Sequence, residues 1–182
     1  SVCGLYAQSY EEDFNAVQQA FQERLKTTPN ALKNHLTTFP YTPYSDEIYL
    51  MEGGLYTEKG KYKQATKVFN KITAKNLSRE TQPMLYFYAG YALIQQKQYE
   101  KALSLFLRLK NQKSTYAPHA RYYAGYCYYC MQDFPQAMAE FLSVEHLGVY
   151  KKIAPYYIVQ IYYVQHQYDK VYDRAEELLR TY

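Results

Sequence analysis

Cys127-Tyr-Tyr-Cys130 is the sequence motif that comes closest to redox or metal chemistry. A reactive Cys-x-x-Cys opens a helix, where the dipole lowers the pKa of the first thiol. Here the pair sits well inside a helix that Pro118 is expected to begin, so that help is missing. A zinc site needs four ligands, and neither a second cysteine pair nor a neighbouring histidine is present. Both cysteines are therefore expected to be small apolar fillers, with Cys127 next to Gly125. Joining them would strain a helix. The third cysteine, Cys3, adds no disulfide framework.

The other reactive residue types are dispersed. His35, His119, His146 and His166 occur singly. Asp46-Glu47 and Glu176-Glu177 are expected on solvated faces. With 7 Gly in 182 residues there is no glycine-rich phosphate loop, and no nucleophile elbow occurs. No catalytic residue, metal site or cofactor is expected, and the chain is not expected to be an enzyme. Lys63, Lys67, Lys71 and Lys75 recur every four residues, as on one stripe of a helix. Without interleaved aromatics the stripe is expected on an outward, solvated face. The net charge of +4 is too mild to imply nucleic acid.

What must position these residues is a set of repeats. Tyr62-x-x-Ala65-x-x-x-Phe69 recurs as Tyr99-x-x-Ala102-x-x-x-Phe106 and Phe134-x-x-Ala137-x-x-x-Phe141. A weaker copy is Tyr168-x-x-Val171-x-x-x-Ala175, and Ala31 marks an earlier one. Gly53, Gly90, Gly125 and Val159 hold one place upstream of each frame, followed three residues later by Tyr56, Leu93, Tyr128 and Tyr162. This pattern predicts two antiparallel helices per repeat. The small residue of the first helix meets the Ala of the second, and the aromatics fill the core. Gly60, Lys97-Gln98, Gln132-Asp133 and His166-Gln167 are the turns between them. Pro43, Pro83, Pro118 and Pro155 mark starts of first helices, and Pro135 that of a second.

The iterated pattern resembles the tetratricopeptide repeat over about Asn30 to Tyr182. It departs from that repeat in lacking Trp, in having Gly only at Gly60 among the inter-helix turns, and in Val159 and Val171 of the last copy. The fold implied is all-α: a right-handed solenoid of about five stacked antiparallel helix pairs. Residues 10–182 are expected as one domain after a tail, 1–9, that is a signal-peptide remnant or disordered.

In such a stack the first helices line the concave side. The positions expected there are Met84, Phe87, Tyr91 and Ile94, then His119, Tyr122, Tyr126 and Tyr129, then Ile153, Tyr156, Gln160 and Tyr163. The 25 Tyr beside 0 Trp suit such a face, since Tyr offers a large apolar ring with few rotors to freeze. This trough is nearly uncharged, unlike the Lys, Arg and Asn of repeat domains that clamp a terminal carboxylate. The expected function is a non-catalytic scaffold that binds an apolar or aromatic peptide or helix in this groove. The alternative is a structural segment whose aromatic face packs on its own downstream repeats.

Location is read from two segments. Leu5 to Ser9 is like the small-residue end of a cleaved export signal, and Cys3 is a conceivable lipidation point. FPYTPYSDEIYLMEGGLYTEKGKYKQATKVF, Phe39 to Phe69, is similar to envelope repeat proteins of Gram-negative bacteria, including outer-membrane assembly lipoproteins. APYYIVQIYYVQHQYDKVYDRAEELL, from Ala154, is similar to repeat proteins exported by Bacteroidetes. These resemblances imply an exported, periplasmic or outer-membrane-associated scaffold that is the N-terminal part of a longer protein, with a cytoplasmic location as the alternative.

Overall fold

The computed structural model describes residues 12, 14–16, 18–23, 28–40 and 42–181. The expected tail, 1–9, with Cys3, lies outside them. Helical residues between 12 and 22 form α1. Then follow α2 (Thr28–Thr38), α3 (Ser45–Glu58), α4 (Tyr62–Phe69), α5 (Gln82–Gln95) and α6 (Tyr99–Lys110). α7 (Ala117–Cys130), α8 (Phe134–Val144), α9 (Ala154–Val164) and α10 (Tyr168–Thr181) complete the set. Short 3-10 segments, Ala74–Asn76 and Gly148–Lys152, precede α5 and α9. The chain divides into two compact units, Ser1–Ala92 and Leu93–Tyr182, with the boundary inside α5.

Close approach is present within each unit, but the glycine of the first helix meets the Phe ring of the second and not its Ala as expected. Ala65, Ala102 and Ala137 are fully buried. A Cβ added to Gly53 would stand 2.3 Å from the Phe69 ring. One added to Gly125 would stand 3.0 Å from the Phe141 ring and 3.2 Å from the Glu140 Cβ. A side chain at Gly53 requires the Phe69 ring to shift, and one at Gly125 requires its neighbours to give by a few tenths of an ångström. Phe106 and Phe141, both fully buried, each contribute about 1.5–3 kcal/mol of apolar burial. The first unit has a further core in which Phe14, Leu32, Ile48 and Met51 meet.

The turns repeat as faithfully as the core. Gly60, Lys97, Gln132 and His166 all adopt positive φ, between 57° and 70°. At each, two backbone bonds close a Schellman motif: Gly60 N–H donates to the Thr57 carbonyl, and Lys61 N–H to that of Tyr56. The equivalent long-range bonds run from Gln98 to Leu93, Asp133 to Tyr128 and Gln167 to Tyr162. Three of the four sites thus hold a side chain in a conformation that favours glycine.

Two local expectations change. The lysine stripe is not one helix face, because α4 ends at Phe69. Lys71 lies beyond it with its ammonium 5.0 Å from the Tyr49 ring centre, and Lys75 is in the 3-10 segment. Asp46 is not simply solvated: it accepts a 2.7 Å hydrogen bond from Asn76 Nδ2, tying that segment to the first turn of α3. Burial raises the pKa of the neighbouring Glu47 carboxyl.

Candidate binding surface

The residues expected in one trough fall on both units. In the first, Met84, Phe87 and Tyr91 are half-buried on α5. Tyr91 lies edge-on to Tyr62, with ring centres 6.1 Å apart, and burial raises the pKa of its phenol. In the second, Ile94 is buried and gives packing instead of accessible surface.

Tyr122 also departs from the expectation. It is 8% exposed and belongs to the core. The cause is the linker before α9, whose segment Gly148–Lys152 carries Tyr150 back onto α7. Tyr150 stacks on Tyr122 with ring centres 4.6 Å apart and planes 24° from parallel. Its hydroxyl is hydrogen-bonded to His119 Nδ1. Burial lowers the pKa of His119, since the charged imidazolium would lose water there. Linker residues such as Tyr150 lie outside the repeat frame, so helical spacing carries no sign of this cover. An aromatic in the connecting stretch was the available signal.

Tyr126 and Tyr129 are half-buried because α9 returns Tyr157 against both, with ring centres at 5.9 and 5.2 Å. Tyr157 also stacks on Phe141 at 4.9 Å. The face that stays open in the second unit lies one pair further on. Tyr156 is 59% exposed and Tyr163 58%, with Ile153 and Val164 also exposed and Gln160 half-buried. On α10, Tyr168, Tyr172 and Leu179 are exposed as well, and no residue of this helix is buried. Spacing on the first helices alone did not point to the α10 residues.

The candidate reactive groups stay apart. Cys127 is fully buried and its thiol is pushed up to about 12 by burial first, then by Cys130, so it is protonated and weakly nucleophilic at neutral pH. Cys130 is half-buried, and both thiols are free. Among the described residues, no group of three or more His, Cys, Asp or Glu could hold a metal ion. Among them too, no helix is long and apolar enough to cross a membrane.

Small-residue contacts, aromatic fillers and Schellman turns, recurring at about one repeat length, define an all-α helical-repeat fold like that of tetratricopeptide repeats. Solved structures share the fold. MamA residues 41 to the end, from Desulfovibrio magneticus RS-1, superposes with a TM-score of 0.70 at 17% identity, covering 96% of this chain and 93% of that one. The MamA RS-1 ArsTM double mutant gives 0.71 at 18% identity, covering 94% and 95%. Both neighbours are tetratricopeptide-repeat-fold proteins. No protein-family model matches the sequence. No curated protein matches it either.

Proposed function

We propose that this protein is a non-catalytic interaction scaffold whose docking face in the second unit is the open aromatic surface of α9 and α10. One observation carries this. Tyr156 stands one repeat after Tyr122, yet it is 59% exposed where Tyr122 is 8%. The place that Tyr150 and Tyr157 cover in one repeat is open in the next, and exposed apolar surface commonly marks an interaction site. An apolar helix or aromatic-rich strand is the partner that fits. The fold shared with MamA is in keeping with this role. Peripheral attachment at the outer membrane and export rest on the sequence resemblances of Phe39–Phe69 and of the segment from Ala154.

The same exposure supports a second reading. Tyr126 and Tyr129 are covered by α9, and Tyr122 by Tyr150 of the linker together with Tyr157 of α9, so the equivalent surface of the last pair suits a further linker and helix pair of the same polypeptide. Photo-crosslinking from position 156, compared with the partly buried position 123, separates the two. A foreign protein that is lost in a folded Tyr156→Ser/Tyr163→Ser variant supports the scaffold. Crosslinks only to the chain's own sequence support the second reading. A partner retained by the variant rejects this face.

A further inference from the structure

The first unit holds a cleft of about 500 Å³ between α2 and α3, closed at one side by the turn after α4. Its character is opposite to that of the aromatic face. Three lysines line it: Lys33 on α2, Lys59 just past the end of α3, and Lys71 beyond α4. A single carboxylate, Glu52, lies among them. Between the charges the wall is apolar, with Leu36 and Leu55 half-buried.

The lysines are spread along the cleft. Lys33 is midway along α2, Lys59 follows the last residue of α3, and Lys71 sits over Tyr49 near the start of α3. With α2 of 11 residues and α3 of 14, the walls run for about 16–21 Å. The volume is in the ordinary range for a ligand cleft. We propose that it binds an acidic peptide segment, with carboxylates meeting Lys33, Lys59 and Lys71 and an apolar side chain between Leu36 and Leu55. Charge complementarity chooses the occupant: three ammonium groups face one carboxylate. The leucine wall favours a peptide over nucleic acid, which would offer phosphates and sugars to it. Glu52 also opposes a continuous row of phosphates. A recessed cleft suits a chain segment better than a flat bilayer surface.

The test is fluorescence anisotropy with a labelled peptide of Glu-Glu-Leu repeats, on the whole chain. Comparators replace every Glu by Gln or every Leu by Ser. Binding of the Glu-Glu-Leu peptide is expected to weaken about tenfold or more in Lys33→Glu/Lys59→Glu/Lys71→Glu, because each exposed pair contributes a factor of a few. It is also expected to weaken as salt rises. The lysines are exposed, so the variant should fold, and circular dichroism checks this. Leu36→Ser is a second variant, expected to weaken the Glu-Glu-Leu peptide but not the Glu-Glu-Ser peptide. Equal binding of the Gln peptide, or equal binding by the charge-reversed chain, overturns the proposal. So does failure of the peptide to bind while single-stranded DNA or an anionic phosphatidylglycerol vesicle does.

Discussion

The pairs α7–α8 and α9–α10 occupy the same place in the repeat and differ in almost every packing detail. In α7–α8, Gly125 lies against the buried Phe141 ring and Ala137 is fully enclosed. In α9–α10, Val159, Val171 and Ala175 stand at those positions, all half-buried. Ion pairs tie the second helices at their edges. Lys110 reaches Glu140 on α8, and Arg174 on α10 reaches Glu145 and, at 2.8 Å, Glu177. Close approach in the repeat therefore depends on a small residue meeting a ring. Where branched residues replace that contact in α9–α10, the inward positions of the pair are only half-buried.

The largest way to sharpen this contrast is to remove the ring. Phe141→Ala should cost about 3–5 kcal/mol in a urea melt. Leu178→Ala, half-buried on α10, should cost clearly less. Equal losses would show that the two pairs are packed alike. Next is the small residue: Gly125→Leu should cost about 1–3 kcal/mol by overpacking against Phe141. Val159→Leu should stay near neutral, and a melt of Gly125→Leu that matched the unsubstituted chain would break the repeat frame.

The turns should move in the other direction. Gln132→Gly and His166→Gly each relieve a left-handed side chain and should stabilise by about 0.5–1 kcal/mol. Gly60→Ala should lose a similar amount. A loss at either new glycine would mean that its side chain contributes more than its backbone costs.

The smallest effect concerns pH. His119 has its folded pKa below the ordinary value, so the unfolded chain binds the proton more readily. Its contribution is full above about pH 6.5 and declines as pH falls through that value toward the lowered one. Thermal melts from pH 7.5 to 5 should fall less steeply in His119→Phe. Parallel curves would place the pH sensitivity elsewhere.

Much of this was legible because the governing contacts lie a fixed number of residues apart. Gly125 and Phe141 announce themselves by size and spacing, and the structure brings them together, while Ala137 is fully buried in the same core as Phe141. The left-handed turns were legible as turns, but Lys97, Gln132 and His166 hide a conformation that only Gly60 advertises. The candidate surface was read less well for one physical reason. Helical spacing says which side of a helix a residue occupies, not whether a linker folds over that side, and Tyr150 does so for Tyr122. The lysine period failed similarly, since four-residue spacing continues past Phe69 while the helix does not.

The cysteine pair gives α7 a clock. Cys127 is fully enclosed and protonated at neutral pH, while Cys130, one turn later, is half-buried. A thiol reagent should therefore modify the two in sequence. The delay before Cys127 reacts measures how often the fourth helix pair opens, a local event of its own on the scale of sub-global unfolding. A partner seated on α9 and α10 would be expected to lengthen that delay without touching either sulfur.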